Sequence, residues 1–224
     1  MKNSKIMQSN PAGIAEAGNT IYRVYVIDSG PSLGQYTVTT GPGHPAGPGL
    51  NVLYGGGSPW TTFNTIRSYT SGTDYVQKLA WSVNPVVILG PFGTLTPIGE
   101  TGFRATYSLP GPEIGASSTP DALTIISDVN VNGTTFTNST IEVTTTVINN
   151  NSKPVEIGIR YEWDFQIGAD DGPTFQEVNS NGLVRTQETE FLNPGFEIYR
   201  IVDNDGNPNP PTFNIYGTVT GPGL

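Results

Sequence analysis

Residues 155–167 read Val-Glu-Ile-Gly-Ile-Arg-Tyr-Glu-Trp-Asp-Phe-Gln-Ile, apolar at every odd position and polar or glycine at every even one. Side chains along a β-strand point to alternate faces, so a period of two sorts such a run cleanly, whereas a helix would scatter it around its circumference. Val155, Ile157, Ile159, Tyr161, Trp163, Phe165 and Ile167 therefore share one face, and Glu156, Arg160, Glu162, Asp164 and Gln166 the other. Burying one large apolar side chain stabilises a fold by about 1.5–3 kcal/mol. The odd face is accordingly predicted to anchor a core, and the even face to meet water, a ligand or another polar layer.

Similar runs recur along the chain between turn formers, with 28 Gly and 19 Pro among 224 residues, and no stretch shows convincing helical periodicity. Strands are predicted over 20–27, 35–40, 51–54, 63–69, 74–81, 85–89, 102–109, 123–131, 134–148, 155–167, 183–191, 196–202 and 212–220. The polar turn Asn149-Asn150-Asn151-Ser152-Lys153-Pro154 separates two of the longest, which suggests that 134–148 and 155–167 form an antiparallel hairpin. Strands of that length favour a large sheet over an immunoglobulin-sized sandwich. The expected fold class is all-β, a large antiparallel two-layer β-sandwich of supersandwich-like type. Residues 1–19 read as a flexible N-terminal segment and 20–224 as a single domain, with the Pro- and Gly-rich stretch 109–120 as an internal crossover; two separate domains are the alternative.

Charge and composition narrow the partners. Ten Lys and Arg against 19 Asp and Glu give a formal net charge of −9, and the cations are scattered singly. Nucleic acid and anionic membrane surfaces both require clustered cations and are excluded on that ground. No apolar run is long enough to cross a membrane as a helix, or to serve as a signal h-region in the first twenty residues. The chain has no cysteine, so disulfides and thiolate metal sites are excluded. Only 13% of residues are charged, against about 25% in an average domain. Solubility carried by Thr, Asn and Gly is common in extracellular bacterial β-proteins, and an extracellular or cell-surface location is expected.

The stretch 143–175, VTTTVINNNSKPVEIGIRYEWDFQIGADDGPTF, resembles part of bacterial and archaeal surface domains whose paired strands end in a Gly-x-Arg … Asp pattern followed by an Asp-Gly turn. Those domains are similar to the galactose-mutarotase-like supersandwich group, whose large facing sheets recur in sugar-handling proteins. The resemblance covers about a seventh of the chain. It implies a concave sheet face able to hold polysaccharide, with Arg160, Glu162, Asp164 and Gln166 as polar lining. Such groups match sugar hydroxyls. The plainer reading is a solvated sheet face with cross-strand pairs.

Trp60 follows Gly55-Gly56-Gly57-Ser58-Pro59, a loop that could present an indole to a sugar ring or close the end of a core. His44 is the only histidine, so a histidine metal cluster is impossible, and no Gly-x-Ser-x-Gly elbow offers it a nucleophile. Polysaccharide lyase chemistry, with His or Tyr as base and acid and Arg neutralising a uronate, could draw on His44, Tyr54, Arg67 and Tyr69. Asp203, Asp205 and Asn207 offer calcium-ligating oxygens at alternate positions, and Asp170 with Asp171 is a second candidate pair. Asp-Gly turns without metal are the plainer reading of both stretches. No cofactor is required by any of these readings, and calcium is the one candidate cation. The expected function is a non-catalytic extracellular or surface module that binds carbohydrate. A polysaccharide-active lyase or hydrolase and a structural coat, fibre or phage component are the alternatives.

Overall fold

The computed structural model describes residues 13–78, 86–111, 121–178, 183–187, 189–192, 196–203 and 213–219. These residues are all-β. The strands in chain order are β1 (Ile14–Gly18), β2 (Tyr22–Ile27), β3 (Tyr36–Thr40), β4 (Phe63–Ser68), β5 (Thr73–Val76), β6 (Val86–Ile88), β7 (Gly93–Ile98), β8 (Gly102–Ser108), β9 (Leu123–Asn132), β10 (Thr140–Asn149), β11 (Ile157–Glu162), β12 (Thr174–Glu177), β13 (Val184–Arg185), β14 (Ile198–Val202) and β15 (Asn214–Thr218). They build four sheets, ordered β1-β2-β3, β10-β9-β8-β7, β11-β4-β5-β6 and β13-β12-β14-β15. Apart from the parallel pair β5–β6, the pairings are antiparallel.

The β10-β9-β8-β7 sheet forms one layer of a sandwich-like fold, and two other sheets cover its inner face side by side. Along β9, Leu123, Ile125, Ser127, Val129 and Val131 are buried while the residues between them are half-exposed, the alternation expected of a sheet with one dry face. At one end Val129, Val131 and Phe103 pack with Val24, Val26, Tyr36 and Val38 of the β1-β2-β3 sheet. At the other, Leu123, Ile125 and Tyr107 pack with Ile66 and Tyr75 of the β11-β4-β5-β6 sheet. The fourth sheet places Phe196, Tyr199 and Ile201 against Ile167, joined by the half-buried rings of Trp163, Phe165 and Phe175.

The hairpin expected between 134–148 and 155–167 does not form. β10 pairs with β9 over its whole length, from Thr140↔Asn132 to Asn149↔Leu123, and β11 pairs with β4 from Ile157↔Ser68 to Glu162↔Phe63. The polar connection between them crosses from one layer to the other and is tied to the start of β9, with Ala122 N–H donating to Asn151 Oδ1 at 3.1 Å and Asn150 N–H to Ala122 O at 2.9 Å. Alternation identifies the apolar face of each strand and leaves its neighbour open. Here Val147 and Ile157 meet the same core from opposite layers.

The run 155–167 stays extended but changes partner. After β11 ends at Glu162, Tyr54 N–H donates to Asp164 O at 2.8 Å and Phe165 bridges Leu53. Residues 51–54, expected as a strand, make only isolated bridges, Thr39↔Asn51 and Leu53↔Phe165. The odd face keeps its orientation, since Trp163, Phe165 and Ile167 point into the core and the Tyr161 and Trp163 rings lie 5.8 Å apart. β1 falls within the segment expected to be flexible, pairing with β2 from Ile14↔Ile27 to Gly18↔Arg23; residues 1–12 lie outside the described set, as does most of the expected crossover, 112–120.

Tyr107 is fully buried between the layers, where its hydroxyl donates to Leu33 O at 2.7 Å and accepts from Gln77 Nε2 at 3.0 Å. Gly34 admits this hydroxyl: it holds φ +86°, and a Cβ there would lie 2.0 Å from Tyr107 Oη. Tyr107→Phe strands one buried donor and one buried acceptor, a loss of about 1–3 kcal/mol. Urea unfolding is expected to show a lowered midpoint with an unchanged slope.

Candidate functional site

The β11-β4-β5-β6 sheet turns Ile157, Ile66 and Tyr75 toward the core, so the alternate residues face outward. Residues paired across antiparallel strands share a face. Gly158 stands opposite Arg67, Arg160 opposite Thr65 and Glu162 opposite Phe63, and on the next strand Asp74 stands opposite Arg67 and Val76 opposite Thr65. The ladder continues beyond both strand ends. Tyr69 N–H donates to Glu156 O at 2.9 Å, and the Thr61 hydroxyl donates to the Asp164 carboxylate.

One end of this face is built around Trp60, which is 61% exposed. Two side chains hold its carbonyl: Lys78 Nζ donates at 2.6 Å, and the Gln35 amide donates as well. The same ammonium lies 4.9 Å from the indole centroid and 5.9 Å from the Phe63 ring, within cation–π range. Partial burial pulls the Lys78 pKa below its ordinary value, while Glu162 and Asp164 push in the opposite direction and help keep the ammonium charged. Trp60, Lys78, Glu162 and Asp164 thus converge, with Arg160 reaching Glu162 at 3.3 Å and Glu190 at 3.7 Å. At the other end Tyr69, also 61% exposed, lays its ring over Gly158, where an added Cβ would sit 3.2 Å from the ring. Arg67 and Asp74 form an ion pair at 2.9 Å beside it.

Of the residues expected to line a ligand face, Trp60, Glu162 and Asp164 come together and Arg160 adjoins them. Gln166 lies one step beyond, its amide oxygen accepting from Asn51 Nδ2. Lys78, Thr61 and Glu190 were not expected. Lys78 carried a signal, since it continues the Asp74, Val76 phase of its strand.

The lyase constellation is not assembled. His44 packs at the β9–β10 turn, its ring 5.1 Å from Phe136, 5.4 Å from Phe213 and 5.6 Å from Tyr22. Arg67 and Tyr69 belong to the opposite end of β9, where neighbouring Ser71 and Tyr75 bond Asp121. The ten residues of β9 separate the two ends by about 30 Å at roughly 3.3 Å per residue. Tyr54 meets Asp164 through its backbone N–H. Of the calcium candidates, Asp205 and Asn207 lie outside the described residues, as does Asn204 between Asp203 and Asp205. Asp170 Oδ1 accepts Gly172 N–H at 3.0 Å in an ordinary turn beside Asp171, and no cluster of three acidic or histidine ligands occurs among the described residues.

A concavity of about 180 Å³ lies on the outer face of the β10-β9-β8-β7 sheet, lined by Ile98, Arg104, Asp128, Asn130, Glu142 and Thr144. Arg104 and Asp128 fill its centre with a bidentate pair at 2.8 and 2.6 Å. It contains no aromatic ring.

No protein-family model matches the chain, and comparison with curated proteins and with solved structures gives no match.

His44 is 6% exposed, and its Nδ1 accepts Ala46 N–H at 3.2 Å, which places the ring proton on Nε2. Burial lowers its pKa below the ordinary 6.5. The folded state therefore favours neutral imidazole. Its contribution is complete above the unfolded pKa and is lost as pH falls through the lowered folded value. The melting temperature is expected to drop as pH is lowered below the ordinary histidine value of 6.5, and to drop less in His44→Phe, as followed by circular dichroism.

Proposed function

We propose that this chain is a non-catalytic, carbohydrate-binding β-sandwich module of an extracellular or cell-surface protein, and that Trp60 with Lys78, Glu162 and Asp164 forms its sugar contact. The exposed indole of Trp60 carries this reading. A large aromatic ring left in water is an unfavourable surface unless a partner covers it, and the apolar face of a pyranose matches such a ring while the hydroxyls at its rim match charged and amide groups. The Trp60 backbone is also held in place before any ligand arrives, with the Lys78 ammonium 4.9 Å from the indole. Lys78 and Gln35 fix its carbonyl, and Thr61 fixes Asp164. A site ordered in advance loses less conformational entropy on binding.

The sparse charge and net of −9 support a partner other than nucleic acid. The distance between His44 and the Arg67–Tyr69 end speaks against uronate elimination by those residues, and the resemblance of 143–175 to surface domains supports the location. Affinity electrophoresis through gels containing soluble polysaccharides tests the proposal. Trp60→Ala is expected to lose retention, by at least about 2 kcal/mol if the indole is the anchor, with an unchanged circular dichroism spectrum. Retention equal to the parent protein would refute the assignment. Reducing ends that accumulate with the parent and vanish in Asp164→Asn would instead establish a hydrolase.

A further inference from the structure

We infer that the ligand of this face is an extended, uncharged oligosaccharide chain lying along β4 and β11 from Trp60 to Tyr69; the inference rests on the carbohydrate-binding reading and specifies its ligand. Two aromatic rings, each 61% exposed, stand on the same side of one sheet. The Tyr69 ring covers Gly158, which is level with Arg67, and the Trp60 ring shares the Lys78 ammonium with Phe63. Arg67 and Phe63 are four residues apart on one strand, about 13 Å at roughly 3.3 Å per residue. That gap exceeds a single sugar ring. A monosaccharide stacks on one platform only, whereas a chain of several rings reaches both. Between the platforms Thr65 and Arg160 offer a hydroxyl and a guanidinium where the intermediate sugar hydroxyls would lie, and Glu162 stands level with Phe63 at the Trp60 end.

Charge selects the class of chain. Arg67 pairs with Asp74, Arg160 with Glu162 and Glu190, and Lys78 faces Glu162 and Asp164. The cations of the face are each matched by a carboxylate, on a molecule of net charge −9. A polyanionic glycan would have to displace those carboxylates and approach against the field of the whole protein. A neutral chain exchanges only water for its hydrogen bonds. Glycine at position 158 lets the Tyr69 ring lie close over the sheet: a Cβ there would meet the ring at 3.2 Å and displace it by a few tenths of an ångström.

Isothermal titration of the intact chain with glucose, with the di- and hexasaccharides of the cello, laminari, malto and manno series, and with oligogalacturonate tests the inference. At least one neutral hexasaccharide is expected to bind about tenfold or more tightly than its disaccharide. Tyr69→Ala is expected to reduce the hexasaccharide to the affinity of the disaccharide, Tyr69→Phe to retain it, and Trp60→Ala to abolish both. If Tyr69→Ala binds the hexasaccharide as the parent does while Trp60→Ala does not bind, the extended-chain inference is overturned and the Trp60 site stands. Tighter binding of oligogalacturonate than of every neutral chain overturns the uncharged class. Absence of binding to all of these sugars overturns both this inference and the reading beneath it.

Discussion

A buried chain of hydrogen bonds links the two layers where the two cores meet. Asn64 is fully buried in β4 and its Nδ2 donates across the sandwich to Ser127 Oγ at 3.1 Å and Thr145 Oγ1 at 3.0 Å. Its backbone N–H donates to Gln77 Oε1 at 2.9 Å, and Gln77 Nε2 donates onward to Tyr107, whose hydroxyl reaches Leu33 O. Each buried polar group left without its partner costs about 1–3 kcal/mol. A one-residue slip of β4 would break several of these bonds, turn Ile66 out of the apolar core and put Arg67 or Thr65 in its place. The seam therefore fixes the register of β4. With the register fixed, Thr65, Arg67 and the Tyr69 ring lie on the face away from Ile66, with Phe63 buried at its end, so the composition of the candidate face follows from a network on the opposite side of the same strand.

The edge position of β11 completes that face. An edge strand presents unpaired backbone groups and invites pairing with another chain, a hazard that charged side chains suppress. Arg160 and Glu162 sit on this edge, and the exposed Arg160 pairs, which contribute little to stability, can exchange partners when a ligand arrives. One set of charges thus guards the edge and supplies hydrogen-bonding groups to the site. Ile159 and Tyr161, on the opposite face, remain partly exposed because no further strand extends the sheet past β11 among the described residues.

Which face of each strand is dry was legible in the sequence; which strands lie together was not. The period-two pattern of 155–167 placed Trp163, Phe165 and Ile167 on the inward side, where they pack, while Ile159 and Tyr161 of the same side stay exposed; its even residues line the candidate face. The same pattern is satisfied whether β10 and β11 pair as a hairpin or oppose each other across a core, so only packing decided it. β7 escaped notice because Leu95 is isolated and Pro97 argues against a strand, an objection removed by its edge position beside β8. β1 offered five residues of mainly small side chains, a weak pattern that pairing with β2 overrides. Lys78 and Trp60 approach each other across eighteen positions of sequence, a proximity no local pattern encodes. His44 read as a loop residue, and its aromatic surroundings come from three separate parts of the chain.

The disposition of Glu162 and Asp164 bears on binding against hydrolysis. Glycoside hydrolysis divides labour between two carboxyl groups, one of them protonated within an apolar enclosure so that it can donate to the leaving oxygen. Here both half-buried carboxylates lie beside an ammonium they help keep charged, and each has a local partner: Glu162 meets Arg160, and Asp164 accepts from Thr61. Opposite charges held at fixed positions suit the orienting of a ligand's hydroxyls that the proposed function requires. The platforms at either end add contact area in proportion to the length of the chain they support. On the proposed reading, affinity would rise with the length of the bound chain, and the register imposed by the buried seam is what keeps the rings and charges of this face in line.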